Sequence, residues 1–277
     1  KFLLSGSKGL GKSTLAYHFI NYILSKHEDH KYDTKNCEIN FNNQSFKTVL
    51  NGSNPNLIKI DIKQEKKNID IDQIRELISS LNKSSINNKP RFILIDNIEF
   101  LNKNAVNALL KILEEPTKNV HFILINNNKK ILSTLLSRCI NFKISLNNKE
   151  SLQVANRLIG VNIEEVINND LINYYSTPGN IYKLFIFSKI NGFDLSNLSL
   201  KDFINLLIKD NYYKKDKFIR FQIFDFIEFY FRNINIDYSS KIYNKCNYLL
   251  KRISDTKKFN LDEESLFIEL KKEIFNG

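Results

Sequence analysis

The chain has 277 residues, a formal net charge of +11 and three cysteines. This length allows one large domain or two to three small ones, and the charge favours acidic partners such as nucleic acid, although lysine and asparagine are abundant along the whole chain. No apolar run reaches the length of a membrane span and no secretory signal opens the chain, so we expect no membrane association. The three cysteines are widely spaced and form no Cys-x-x-Cys pair, which fits a cytoplasmic location.

The first half of the chain alternates strand-like and helix-like segments, which predicts an α/β domain with a parallel sheet. Helical patterns cover 12–25 and 72–81, whereas the polar stretch 27–54 is predicted to be the least structured part. The predicted strands are 2–5, 57–60, 92–96, 122–125 and 140–144. Because the first of them begins at residue 2, we expect the N-terminus of this domain to be truncated.

A glycine-rich segment follows the first strand and reads Gly6-Ser7-Lys8-Gly9-Leu10-Gly11-Lys12-Ser13. It matches the P-loop pattern, in which glycines let backbone amides and a helix N-terminus face phosphate groups. We expect Lys12 to reach the β and γ phosphates of ATP or ADP and Ser13 to hold Mg²⁺. The candidate nucleotide-binding residues of this segment are Gly6, Gly9, Gly11, Lys12, Ser13 and Thr14.

A carboxylate, Asp96, ends the third predicted strand, where a magnesium-orienting group is needed. The next position usually carries the glutamate that activates water in hydrolysing proteins of this broad class, but here it is Asn97. An amide cannot accept a proton, so general-base catalysis from that position is lost. Glu99 is an alternative base, but the sequence does not show in which direction its side chain points. We therefore expect nucleotide binding without fast turnover.

The stretch from 104 to 139 combines a helix, a strand and an arginine. Apolar residues at 105, 106, 109, 110 and 113 lie on one helical face, and Pro116 is predicted to stop this helix. The strand 122–125 follows, and then Ser137-Arg138-Cys139. Taken alone, Arg138 would be interpreted as a solvated surface charge.

Strand signals fade after about residue 146, and the remaining patterns are helical. We predict an α/β domain over 1–146, a small helical lid domain over 147–192 and an all-helical collar or oligomerisation domain over 193–277. Aromatic and basic residues alternate between Phe218 and Phe231. That pattern is typical either of stacking on single-stranded nucleic acid or of a helical core, and we favour the core.

Residues 1 to about 190 resemble the δ′ subunit family of bacterial DNA polymerase III clamp loaders, which are AAA+ proteins. The last eighty or so residues match only in their helical character. The resemblance is carried by the P-loop, Ile71–Leu77, Phe92–Asp96, the Leu-Leu-Lys-Ile-Leu-Glu-Glu-Pro segment at 109–116, and Thr134–Cys139.

The resemblance implies an arc of five subunits that opens a ring-shaped sliding clamp and places it on primed DNA during replication. The other subunits, τ/γ and δ, would be the direct partners. Arg138 would act in trans as an arginine finger on ATP bound by a neighbouring motor subunit. Asn126, at the end of the fourth strand, matches the place of a polar residue that senses γ-phosphate. Only Cys37 remains of the family's four-cysteine zinc module, so we expect no zinc site.

Two alternatives remain open at this stage. One is an active τ/γ-like motor ATPase with Glu99 as the base; Asn97 and the lack of a nucleotide-sensing arginine near 177–180 count against it. The other is a stand-alone P-loop kinase for a small molecule, but the stretch 27–54 supplies nothing distinctive as an acceptor-binding lid.

Overall fold

The computed structural model describes residues 1–63, 66–82, 87–115, 118–172, 176–233, 241–259 and 261–272. The chain divides into two compact units, Lys1–Asn147 and Asn148–Gly277. The predicted end of the α/β domain at residue 146 is one residue from this division. Pro116, the predicted helix stop, lies outside the described residues.

Unit 1 contains a five-stranded sheet in which every neighbouring pair of strands is parallel, as the sequence predicted. The strand order is β2-β3-β4-β1-β5. The strands are β1 Phe2–Ser5, β2 Leu57–Ile60, β3 Arg91–Ile95, β4 Val120–Asn126 and β5 Ile140–Lys143. The helices of this unit are α1 Lys12–Leu24, α2 Gln44–Leu50, α3 Ile71–Leu81, α4 Lys103–Glu114 and α5 Ser133–Leu136.

Both faces of the sheet are covered, which is why β3 and β4 are apolar at nearly every position. Successive side chains of a strand point to opposite faces. Leu3 therefore joins a core cluster with Leu109 of α4, whereas Leu4 joins a second cluster with Ala16 of α1. The two clusters fix α1 on one face of the sheet and α3 and α4 on the other.

The stretch 27–54 contains more structure than the sequence analysis expected, because α2 forms within it. The Asn43 side chain caps α2 by accepting a hydrogen bond from the amide of Phe46. Asn43 and Asn21 of α1 also exchange two carboxamide hydrogen bonds of 3.1 and 3.0 Å. This helix has only seven residues, so its apolar residues Phe46, Val49 and Leu50 give a weak helical signal in the sequence.

All the regular secondary structure in the described residues of unit 2 is helical. Its helices are α6 Asn148–Ile159, α7 Ile163–Val166, α8 Pro178–Asn191, α9 Leu200–Lys209, α10 Tyr212–Lys215, α11 Lys217–Asn233, α12 Lys241–Phe259 and α13 Glu263–Leu270. One hydrophobic cluster runs from Ala155 to Leu270 and crosses residue 192 without interruption. The boundary at residue 192 between a lid domain and a collar domain therefore stays a prediction.

The aromatic pattern of α11 is mostly core, as favoured above. Phe224 and Phe231 are buried in the cluster of unit 2, whereas Phe221 is 63% exposed. Within the described ranges, no helix has both the length and the apolar character needed to cross a bilayer.

Candidate functional site

The P-loop connects the carboxyl end of β1 to the start of α1. Gly11 occupies the N-cap position of α1 with φ 78°, a left-handed conformation, and no side chain caps the helix there. The amides of the first turn are therefore left for an anion. Gly6 passes close to the opposite backbone, because a Cβ added to it would lie 2.3 Å from the carbonyl oxygen of Ile144. Gly9 also has a positive φ, of 93°.

Lys12 lies beneath this loop and is 4% exposed. Its Nζ donates hydrogen bonds to the carbonyl oxygens of Gly6 at 2.9 Å and Ser7 at 2.7 Å. Burial lowers the pKa of Lys12 from its ordinary value, and the negative charges of Asp96 and Glu99 partly oppose that shift. The ammonium group is thus buried beside the loop that would wrap a phosphate.

Ser13 and Asp96, which the sequence analysis assigned separately to Mg²⁺, are in contact in the structure. The hydroxyl of Ser13 donates to Oδ2 of Asp96 at 2.6 Å, and Oδ1 of Asp96 accepts from the amide of Asn97 at 2.8 Å. The contact joins segments that follow two strands which are not neighbours, because β4 lies between β1 and β3. A hydroxyl and a carboxylate beside a phosphate-binding loop are oxygen ligands suited to Mg²⁺, so the residues present fit the implied ion.

A chain of polar side chains, here called the carboxamide network, links Asp61, Asn97, Asn127 and Glu99. Nδ2 of Asn97 donates to Oδ1 of Asp61 at 2.8 Å, and Oδ1 of Asn97 accepts from Nδ2 of Asn127 at 2.8 Å. Asn127 also donates its Nδ2 and its backbone amide to Glu99, at 3.1 and 3.3 Å. The Glu99 side chain, whose direction the sequence left open, therefore points toward the ends of β3 and β4.

Asp61 was not among the predicted site residues, although its position carried a signal. It directly follows β2, just as Asp96 directly follows β3, and the carboxyl ends of neighbouring parallel strands lie at the same edge of a sheet. Asn97 at the centre of the network has a φ of 57°, a left-handed conformation that asparagine tolerates better than most residues.

Asn126 lies beside Ser5 in the β1–β4 register. Its carboxamide closes the following turn, because Nδ2 donates to the carbonyl oxygen of Lys129 at 2.9 Å and Oδ1 accepts from the amide of Lys129 at 3.3 Å. The carboxamide facing Glu99 belongs to the next residue, Asn127. A γ-phosphate-sensing role for Asn126 stays a prediction.

Thr14 points away from this group of polar residues. It is exposed and lines a separate, mostly apolar cavity of about 460 Å³ together with Tyr17, Phe46 and Val49. Elsewhere in the described ranges, no three histidine, cysteine or acidic side chains are grouped as metal ligands, and Cys37 is exposed.

Arg138 lies at the opposite edge of the sheet from the P-loop. It precedes β5, whose Ile140 pairs with Phe2 at the amino end of β1, whereas the P-loop follows the carboxyl end of β1. The length of β1 alone separates the two edges by about 13 Å, at about 3.3 Å per residue. Arg138 forms an ion pair with Glu114 at the end of α4.

The sheet, the P-loop and the Ser13–Asp96 pair define the chain as a P-loop α/β protein of the AAA+ type. Residues 1–148, more than half of the chain, match the family described as "DNA polymerase III, delta subunit". The chain belongs to this family, and proteins named DNA polymerase III subunit delta′ are among its relatives.

Individual relatives agree with this assignment. The chain is 27% identical to DNA polymerase III subunit delta′ of Buchnera aphidicola subsp. Schizaphis graminum, over 96% of this chain and 88% of that protein. It is 30% identical to DNA polymerase III subunit gamma of Buchnera aphidicola subsp. Acyrthosiphon pisum, over 54% of this chain. The chain spans about 40% of the length of that gamma subunit and of its counterpart in the Schizaphis graminum symbiont.

A solved structure supports the fold. A DNA polymerase III gamma subunit-related protein from Thermotoga maritima superimposes with a TM-score of 0.50 at 19% identity, covering 97% of this chain and 91% of that one. At this identity the likeness concerns the fold alone.

Proposed function

We propose that this chain is a largely non-hydrolysing subunit of a DNA polymerase III clamp loader. It binds ATP or ADP with Mg²⁺ at its P-loop and supplies Arg138 in trans to ATP held by a neighbouring τ/γ subunit. With τ/γ and δ it acts in the cytoplasm to place a sliding clamp on primed DNA.

The observation that carries the finger role is the position of Arg138. Arg138 and the P-loop lie at opposite edges of one parallel sheet, so the guanidinium cannot serve a nucleotide bound to its own P-loop. It is 31% exposed as a side chain and lies in unit 1 beside the surface end of α4. This position supports a role on phosphate bound by another subunit, where the guanidinium would neutralise charge that develops in the transition state.

Nucleotide binding is supported by the P-loop geometry. Uncapped amides at the start of α1, the buried ammonium of Lys12 and the oxygens of Ser13 and Asp96 together offer what a phosphate with Mg²⁺ requires. Slow hydrolysis is supported by Asn97, whose carboxamide is engaged by Asp61 and Asn127 and has no proton-accepting group.

An active motor subunit is the second candidate, and the position of Glu99 favours it. The Glu99 carboxylate is held by Asn127 and lies near enough to influence the pKa of Lys12. If Glu99 activates water, the isolated chain hydrolyses ATP and Glu99→Gln abolishes the turnover. Tight nucleotide binding with negligible turnover by the isolated chain would exclude this candidate.

The finger role is tested with Arg138→Ala in a clamp loader reconstituted from this chain and the other subunits of its organism. Hydrolysis at the site that Arg138 completes should fall by about 10³-fold or more, measured in single turnover. The matched control is Arg75→Ala, another ion-paired surface arginine of unit 1, which pairs with Asp72. Turnover equal to wild type in the Arg138→Ala complex would remove the finger role.

A further inference from the structure

We infer that Glu114 is a positioning residue for Arg138, which it orients for contact with the neighbouring subunit's phosphate. This inference rests on the proposed function, because it gives Glu114 a role only if Arg138 is a finger. Glu114 belongs to the same Leu-Leu-Lys-Ile-Leu-Glu-Glu-Pro segment that carried the resemblance, but the sequence alone gives no reason to pair it with Arg138.

Hydrogen-bond acceptors on two helices, α4 and α5, hold the guanidinium of Arg138. Its Nε donates to Oε1 of Glu114 at 3.0 Å, and its Nη2 donates to the same oxygen. From the other side, Nη1 donates to the carbonyl oxygen of Thr134 in α5 at 2.9 Å, with a longer contact of 3.5 Å to Oγ of Ser137. The planar group is thus fixed by acceptors on two sides rather than by one flexible contact.

These contacts leave donor capacity at the tip of the side chain. A guanidinium carries five N–H groups, and the three short contacts use one on each nitrogen. The second N–H of Nη2 is left, as is the second N–H of Nη1 apart from the long Ser137 contact. These two N–H groups form the edge that binds two oxygens of a phosphate side by side.

Both anchors of this arrangement are attached to the core. Leu109 and Leu113 of α4 are completely buried, and Leu135 of α5 is 1% exposed. An unrestrained arginine samples many rotamers, and a misplacement of about 1 Å in a catalytic group costs about 10²-fold in rate. A charged acceptor at the end of a fixed helix reduces that freedom, as supporting residues around a functional side chain do.

The experiment compares Glu114→Ala, Glu114→Gln and Glu115→Ala in the reconstituted complex. Glu115 is the matched control, because it is the next residue, it is exposed, and its side chain forms no hydrogen bond or ion pair within the described residues. We expect Glu114→Ala to lower the kcat of ATP hydrolysis about tenfold with an unchanged KM for ATP. Glu114→Gln, which keeps an oxygen acceptor, should lose less, and Glu115→Ala should match wild type.

A double variant separates positioning from a purely structural effect. If Glu114 acts through Arg138, Glu114→Ala causes no further loss of turnover in an Arg138→Ala background. An equal additional loss in both backgrounds, or a kcat that is unchanged or higher in Glu114→Ala alone, would overturn the inference. An Arg138→Ala complex with wild-type turnover would instead remove the finger role that the proposed function gives to Arg138, so the two failures are distinguishable.

Discussion

Lys12→Met tests whether the buried lysine serves nucleotide binding or the stability of the fold. Because burial lowers its pKa, the unfolded chain binds this proton more tightly than the folded chain does. The charge therefore lowers stability at neutral pH, and this cost is relieved as the pH rises through the folded-state pKa. Lys12→Met removes the cost of the buried charge, but it also removes two hydrogen bonds, which opposes that gain. Without nucleotide, we therefore expect the free energy of unfolding to be unchanged or slightly raised.

The effect appears when nucleotide is added. Mg-ADP at one hundred times its Kd stabilises the wild-type fold by about 2.7 kcal/mol. Unit 1 has 147 residues, and at about 2.1 cal/mol/K per residue its unfolding entropy is about 0.3 kcal/mol/K, so its Tm should rise by about 9 °C. Losing the charged contact to phosphate costs about 1.5–3 kcal/mol, roughly ten- to hundredfold in affinity, which leaves a rise of about 1–4 °C.

The assay is thermal unfolding followed by circular dichroism, with and without Mg-ADP at a fixed concentration. The matched control is Lys26→Met, which removes an exposed lysine just beyond the far end of α1 and should retain the full rise. A Lys12→Met variant that keeps the wild-type rise in Tm would refute the assignment of Lys12 to the phosphate site.

Two further predictions concern the loop and the carboxamide network. Gly6→Ala should destabilise unit 1 by about 1–3 kcal/mol in urea unfolding, since its Cβ would lie 2.3 Å from a backbone oxygen; an unchanged urea midpoint would contradict this. Asn97→Glu should not raise ATP turnover by the isolated chain, because the new carboxylate would meet Asp61 and one pKa of the pair would rise. Asp61→Asn with Asn97→Glu should raise turnover at least about tenfold, and equal turnover in the single and double variants would show that Asp61 has no influence.

The elements that the sequence predicted well are those whose signal is local. β3 and β4 are apolar at nearly every position because both faces are buried, and the P-loop is a continuous segment whose glycines are required within a few residues. Ser13 and Asp96 were each assigned to Mg²⁺ from a local signal, the P-loop for one and the end of a strand for the other. Their contact, between residues 83 positions apart, was not predicted.

The features that escaped prediction depend on side-chain directions across elements. The pairing of Glu114 with Arg138 requires α5 to bring residue 138 back to the end of α4, and nothing in either segment alone specifies that approach. The carboxamide network likewise depends on the turn at Asn97, whose left-handed backbone aims its amide at Asp61. Short turns of this kind leave little trace in hydrophobic periodicity.

The position of β1 inside the sheet has a consequence for synthesis on the ribosome. Among the described residues, β1 pairs only with β4 and β5, strands that begin at residues 120 and 140. The segment carrying the P-loop therefore has no strand partner in this sheet while the intervening chain is made. At about 5–20 residues per second, this wait lasts roughly 6–24 seconds. During that time the apolar residues of β1 have no strand partner, so we expect substitutions that weaken β4 to lower the yield of soluble protein before they alter any property of the finished fold.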